Sequence, residues 1–584
     1  MIASDIVPLL ARHPLFGALE HDALETLAAQ LGWFCLPGGR SLFKAGEPAD
    51  AMYLLKSGSL GIFASDDEAS PGEPLQLVGV GESVGEISLL GGDVRHRDVR
   101  ALRDSELLRL DRGSFEAVVV RCPQAMLGIT RHALARLLQR ERGSEPPGTP
   151  RTFALLPVDA HVPVRALALQ LAQALEAFAP CLVVDATLGA GRGSEWFAER
   201  EAQGGFVIYV DADGDTVWRQ RCLRQADVLL LPALAAQPAK AWPEPSPMRP
   251  EQVRFRTRHL LLLHPGHGVE LGAARRWRRE FGGEVRHHHI CGSADITRLA
   301  RLISGHGRGL VLAGGGARGL AHLGAMRALH EAGHVFDAVG GTSIGAILGA
   351  GLAAGWSLDE IAERCAHAFV SGRPLSDWSL PLVALTRGQR ASRMLRRAFG
   401  ALAIEDLPRP FFCMSTSLSG DGMVAHRHGP LWLWLRASSA IPGVLPPVLH
   451  RGHVFIDGAL MNNLPVDVMA ADGIAHITAL DVRAEILLQA GVDEVATPPW
   501  WRLLWQRREA LRPGLVSTLV RAAMVNGEDA SADRRARADL LLTPPLEHIG
   551  MLDWKHWPLA VDAGYRHAIE VLEAQARAGI TMHE

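Results

Sequence analysis

Cysteine is scarce in this chain and never clustered. The seven cysteines stand at 35, 122, 181, 222, 291, 365 and 413, with no CxxC pair among them. An odd, scattered set argues against a disulfide framework and predicts reduced thiols in a cytosolic compartment. An excess of one charge is also missing. A net charge of −3 and a pI near 6.8 give no bulk pull toward nucleic acid, so no nucleic-acid partner is expected. Met1-Ile2-Ala3-Ser4-Asp5 lacks a basic n-region, and the apolar stretch after it is broken by Arg12, His13 and Pro14, so no secretory signal is expected. No segment reads as a membrane span. The uncharged run Ala338 to Leu358 is rich in glycine and holds a Thr-Ser pair, a poor surface for hydrocarbon. What remains is 584 residues with 48% apolar content, enough core for three or four domains.

Three short motifs follow one another in the second half: Gly314-Gly315-Gly316-Ala317-Arg318-Gly319, Gly341-Thr342-Ser343-Ile344-Gly345 and Asp457-Gly458-Ala459. Ser343 stands between a short apolar run ending at Gly340 and the uncharged Ile344 to Ala350. A strand, a sharp turn and a buried helix are predicted there. Such a turn needs tiny neighbours, which Gly341 and Gly345 supply, as in a nucleophile elbow. The helix N-terminus then favours developing negative charge.

The glycine loop follows the predicted strand Leu310 to Ala313 and precedes a helical pattern ending at Gly333. The same context suits a dinucleotide fingerprint, since residues 314–319 spell GxGxxG. That reading needs an acid at the end of the next strand, to hold a ribose. Asp337 stands at the start of that strand instead, and Arg318 fits awkwardly against a pyrophosphate. Convergent glycine N–H groups suit an oxyanion better. Asp457 ends the predicted strand Val454 to Ile456, before the turn Asn462-Asn463-Leu464-Pro465. With 25 histidines a Ser-His-Asp triad stays open on composition. His322 is the nearest candidate in sequence to the glycine loop, but its place one turn into a helix favours a structural role. Asp457 becomes a usable base only if desolvated and within reach of the serine.

GGGARG, GTSIG and DGA in this order resemble the patatin-like phospholipases, and Ala437-Ser438-Ser439-Ala440-Ile441-Pro442-Gly443 extends the match over roughly residues 306–470. The resemblance implies a Ser-Asp dyad, with Ser343 as nucleophile and Asp457 as proton acceptor. It places Gly314, Gly315, Gly316 and Arg318 around an oxyanion hole. The whole chain looks like bacterial relatives of neuropathy target esterase, which carry a cyclic-nucleotide-binding-like domain ahead of the hydrolase.

The N-terminal region begins with a helical pattern at Leu19, Leu24, Leu27 and Leu31, and continues in short alternating segments split by glycine turns, a small β-barrel signature. Gly85, Glu86 and, nine residues after Glu86, Arg95 resemble a phosphate cassette, in which the Glu holds a ribose hydroxyl and the Arg a cyclic phosphate. Here His96-Arg97-Asp98 follows, and Asp98 would put a negative charge beside that phosphate. The expectation is the fold with weak or no cyclic-nucleotide binding. A docking or autoregulatory module is the alternative. Residues 143–150, GSEPPGTP, read as a linker. Strand and helix then alternate to about residue 305. Gly189-Ala190-Gly191-Arg192-Gly193 lacks the Lys-Ser/Thr of a P-loop, so no nucleotide hydrolysis is assigned. Asp211 to Asp215 fails as a calcium loop, and His287-His288-His289 cannot converge on one metal ion from consecutive strand positions. Trp500-Trp501-Arg502 to Arg508 combines tryptophan with arginine, as an interfacial segment would, although core packing of a helix explains it as well.

The expected architecture is multidomain α/β. It comprises a β-barrel cyclic-nucleotide-binding-like domain at 1–140, a linker at 141–152, a non-catalytic α/β domain at 153–305, a patatin-like α/β hydrolase domain at 306–470 and its C-terminal extension at 471–584. The expected function is serine hydrolysis of a phospholipid or lysophospholipid ester, without metal or cofactor, in the cytoplasm or peripherally at the inner membrane face. The rival is a non-catalytic, nucleotide-responsive regulatory or scaffold protein.

Overall fold

Runs such as Leu310-Val311-Leu312 and Phe411-Phe412-Cys413-Met414 carry no polar alternation, the mark of parallel strands covered on both faces. In the computed structural model they are the middle of a large sheet. The structure describes residues 6–63, 76–121, 150–241, 257–482, 499, 518 and 528–577, apart from positions 14–15, 18, 92–93, 282–284, 381, 421 and 552. Most of the expected linker and the Trp500–Arg508 segment lie outside the described residues. The chain divides into two compact units, Met1–Leu263 with Trp277–Ala300, and His264–Arg276 with Arg301–Glu584.

The first unit opens with two four-stranded antiparallel sheets, one holding Ala51–Ser57 between Ser105–Asp111 and Ser83–Val84, the other holding Leu60–Phe63 between Asp98–Ala101 and Gln76–Val78. Strand Ala51–Ser57 is apolar on both faces for a reason of period two. Ala51, Tyr53 and Leu55 enter one core with Leu60, Ile62 and Leu107, while Met52 and Leu54 enter a second with Leu10, Leu24 and Leu27. A six-stranded parallel sheet follows, in the order Cys181–Val184, Phe206–Val210, Thr152–Leu155, Val228–Leu234, Thr257–Leu263, Arg286–Ile290. Within this unit Arg103 pairs with Glu201 at 2.7 Å and Asp104 with Arg224 at 3.2 Å, tying the N-terminal sheets to the parallel one.

In the second unit the sheet runs Val448–His450, His453–Asp457, Phe411–Ser417, Ala338–Thr342, Arg308–Leu312, His476–Leu480, Leu540–Leu542, with Gly422–His426 paired to Phe411–Ser417. The last five are parallel, while His453–Asp457 runs antiparallel to Phe411–Ser417. Helix Ile344–Ala353 lies behind Ala338–Thr342, and Ala321–Glu331 packs on the 21-residue helix Trp557–Arg577. Two glycines allow that last contact. A Cβ on Gly324 would sit 1.8 Å from the Val561 carbonyl oxygen, and one on Gly564 2.0 Å from that of Ala321. No helix among the described residues is long and apolar enough to cross a membrane.

Candidate active site

Parallel α/β sheets place ligands at the carboxyl ends of their strands. Here the two central strands, Arg308–Leu312 and Ala338–Thr342, end in the glycine loop and in Ser343. Ser343 has φ 53° and ψ −122°, a conformation that side-chain-bearing residues rarely adopt. The turn is tight enough that a Cβ on Gly345 would lie 2.3 Å from the Leu312 carbonyl oxygen. The backbone N–H of Ser343 donates to Ser438 Oγ at 2.9 Å.

Sheet register brings the carboxylate to the same level. Thr342 stands opposite Met414, and the next residue, Ser415, stands opposite Asp457. Ser343 and Asp457 therefore face each other across one intervening strand. Ser343 Oγ donates to Asp457 Oδ2 at 3.0 Å, and the Ala459 N–H donates to Asp457 Oδ1 at 2.9 Å. The Asp457 N–H is held by the Ala440 carbonyl, and its carbonyl accepts from Thr416 Oγ1. Asp457 is buried, and desolvation pushes its carboxyl up to about 7, outweighing the hydrogen bonds from Ala459 and Ser343.

The glycine loop lies against the serine, since a Cβ on Gly314 would approach Ser343 Cβ to 3.0 Å. Its donors are not equivalent. The Gly314 N–H is committed to Asn463 Oδ1, and the Ala317 N–H to the Met551 carbonyl. The N–H groups of Gly315 and Gly316 have no partner among the described residues. Arg318 is buried and turns its Nε to the Ile549 carbonyl, so it fastens the loop to the C-terminal segment. Of Gly314, Gly315, Gly316 and Arg318, the two middle glycines thus keep their N–H groups unclaimed by other described residues.

His322 is fully buried and donates from Nε2 to the Ala313 carbonyl at 2.8 Å, with burial pushing its pKa down to about 4. No histidine hydrogen-bonds Ser343 or Asp457 among the described residues. His426 bonds Ser415 at 2.6 Å instead, stacked on Trp434. Asp337, weighed as a ribose acid, is buried and paired with Arg301 at 2.6 Å.

In the N-terminal sheets Gly85 has φ 91° and precedes a short helix that Glu86 begins, with Glu86 buried. Arg95 is buried beside Gly85. Its guanidinium donates to the Ala51 carbonyl at 2.6 Å and the Gly85 carbonyl at 3.3 Å, and lies 4.2 Å from the Phe43 ring centre. Asp98 accepts from the Ala45 N–H and pairs with Arg100. Arg95 thus spends Nη1 and Nη2 on backbone carbonyls, while its buried Nε has no hydrogen-bond partner among the described residues.

Two contributors escape a reading by motif. Asn463 lies in what reads as a plain turn, and Ser438 in a segment with no chemistry of its own on paper. Only the place of Ser438 within the ASSAIPG stretch that carries part of the resemblance marks it.

A mainly parallel sheet with a serine elbow and a facing buried carboxylate, in a chain whose N-terminal part folds into two antiparallel sheets, defines a patatin-type protein. Comparison with known families agrees. The patatin-like phospholipase model matches residues 310–470, the cyclic nucleotide-binding domain 34–122, and the neuropathy target esterase family P-loop-like domain 149–304. An NTE family protein of Mycobacterium bovis is 32% identical over 593 residues, covering 98% of this chain and 97% of its own length. Human patatin-like phospholipase domain-containing protein 6 is 30% identical over 657 residues, 99% of this chain and 47% of that protein. Mouse patatin-like phospholipase domain-containing protein 7 is 30% identical over 640 residues, 94% of this chain and 46% of that protein. The chain belongs to the neuropathy target esterase family, and it spans about half the length of those two mammalian relatives.

Proposed function

We propose that this protein is a serine acyl hydrolase that cleaves a carboxylic ester of a phospholipid or lysophospholipid through a Ser343–Asp457 dyad. The observation that carries the reading is the 3.0 Å hydrogen bond between a serine held at positive φ and a buried carboxylate whose pKa stands near 7. A carboxylate near neutrality can accept and return a proton at working pH.

Asp457 takes the Ser343 hydroxyl proton as Oγ bonds to the acyl carbon. The carbonyl oxygen becomes an oxyanion, received by the Gly315 and Gly316 N–H groups and the positive end of helix Ile344–Ala353. Collapse breaks the ester C–O bond, and Asp457 returns its proton to the departing alcohol. A water then gives a proton to Asp457 and attacks the acyl-enzyme. The fatty acid leaves and Ser343 regains its hydrogen.

The test is fatty-acid release from phosphatidylcholine and lysophosphatidylcholine by wild type and Ser343→Ala. Release by the wild type alone is expected. Equal release by both proteins rules the dyad out, and no release by either favours the non-catalytic reading.

A further inference from the structure

Four large apolar side chains stand almost uncovered in one short stretch. Trp378 is 69% exposed, Leu380 80%, Leu382 90% and Val383 70%. Single exposed apolar residues need no explanation, but a contiguous group marks a contact surface. The backbone beneath them is ordered. Trp378 bridges Thr386 in antiparallel fashion, the Ser379 N–H donates to the Leu385 carbonyl, and the Arg387 N–H donates to the Asp377 carbonyl. Residues 377–380 and 382–387 therefore pair as the two arms of a hairpin that carries these apolar side chains.

Its base is fixed at two places. The Leu385 and Thr386 N–H groups donate to the Gly443 and Val444 carbonyls. Gly443 is three residues along the chain from Ala440, whose carbonyl holds the Asp457 N–H. The Asp377 carboxylate accepts from the Gln389 and Arg390 N–H groups, which joins the hairpin to the start of helix Gln389–Phe399. That helix buries Ala391, Leu395 and Phe399, exposes Arg390, Arg393, Arg396 and Arg397, and contains no acid. Arg373, just before the hairpin, and Arg387, at its base, are exposed. None of these six arginines is ion-paired among the described residues. Arg396 lies over Trp432, and Arg390 bonds Ser376 Oγ.

We propose that the 377–387 hairpin is a wedge that enters the surface of a bilayer bearing anionic headgroups, with the arginines of helix Gln389–Phe399 on the lipid phosphates. Apolar side chains gain by leaving water for the acyl boundary, and a tryptophan suits the headgroup level. Unneutralised arginines at its foot match a negative lipid surface. An apolar point with six arginines close by in sequence, and Asp377 as the one acid, already bound to the N–H groups of Gln389 and Arg390, fits this layered partner better than a second copy of the chain, which would bring its own arginines against these. The purpose of the contact rests on the lipid-ester reading above, but the contact itself does not depend on hydrolysis.

The experiment is co-sedimentation of the full-length protein with vesicles of phosphatidylcholine alone or mixed with phosphatidylglycerol. Turnover of a small soluble ester and oligomeric state by light scattering are followed in parallel. Wild type should favour the mixed vesicles. Leu380→Asp/Leu382→Asp should lose that binding, and Arg393→Glu/Arg397→Glu should weaken it about tenfold or more. Both should keep soluble-ester turnover within about twofold of wild type, since neither pair touches the Ser343 site. If the double leucine variant unfolds, Leu382→Asp alone takes its place. Unaltered vesicle binding by either pair of changes overturns the wedge. So does a wild-type dimer that Leu380→Asp/Leu382→Asp converts to monomer without loss of vesicle binding. Loss of soluble-ester turnover in the wild type, with vesicle binding as expected, counts against the hydrolase and leaves the wedge standing.

Discussion

Gly314 and Asn463 hold one another by two hydrogen bonds, the Gly314 N–H to Asn463 Oδ1 at 3.0 Å and Asn463 Nδ2 to the Gly314 carbonyl at 3.1 Å. The pair spans 149 residues and pins the first glycine of the loop, while the N–H groups of the next two have no partner among the described residues. Asn463→Asp would set a carboxylate oxygen against the Gly314 carbonyl in place of a donor. We expect kcat on a soluble ester to fall about tenfold or more, with KM little changed, as for loss of oxyanion donors. Steady-state kinetics check this, and an unchanged kcat would show that the loop is held by other contacts.

Ser343 at φ 53° stores backbone strain that glycine would not. Ser343→Ala and Ser343→Gly should both abolish hydrolysis. The glycine variant should be the more stable of the two by about 1 kcal/mol, because alanine keeps the strained conformation. Urea unfolding of the two variants measures the difference. An alanine variant at least as stable as the glycine one would show that the elbow is not strained.

Asp457 has a folded-state pKa raised to about 7 by burial, against an ordinary value of 3.8. Two pH dependences follow, with opposite signs. Activity needs the ionised base, so kcat/KM should rise with pH through about 7 and then level. Stability runs the other way. The folded protein holds the proton between about pH 4 and pH 7 while the unfolded chain has lost it, so stability falls as pH rises across that window. The full difference is roughly 4 kcal/mol. Asp457→Asn should lose activity about as completely as the serine variants and should also lose this stability slope. Rate profiles together with unfolding at pH 5 and pH 8 read both. A flat kcat/KM from pH 5 to pH 9 would contradict the base assignment.

The Ala51 and Gly85 carbonyls and the Phe43 ring already hold the Arg95 guanidinium and compete with a cyclic phosphate for it. Calorimetry of the full-length protein with cyclic AMP or cyclic GMP should therefore show no binding at micromolar ligand. A micromolar Kd would contradict this and make nucleotide control of the hydrolase the better model.

The elbow and the carboxylate are legible in the sequence because their demands are local. Ser343 needs glycines two residues away on either side, and Asp457 needs a strand end before a glycine, so each leaves a contiguous trace. Asn463 leaves none, since its partner is in another motif and a turn explains it equally well. The C-terminal completion of the sheet is hidden for a different reason. Leu540–Leu542 is only three residues long, and its strand character comes from lying parallel to His476–Leu480. Arg318 reads as a charge for the oxyanion because its partner carbonyl at Ile549 is remote in sequence. The strand Ala51–Ser57 shows its apolar run plainly, but only the two cores on its faces explain why the run lacks alternation.

The central claim is that Ser343 alone is the activated nucleophile. It is tested most directly by treating the native protein with a fluorophosphonate and mapping the adduct by peptide mass spectrometry. We expect one adduct per chain, on Ser343, formed faster as pH rises through about 7 and absent in Asp457→Asn. An adduct on any other residue in an active preparation, or full ester turnover by a protein that takes up no label, would contradict the account.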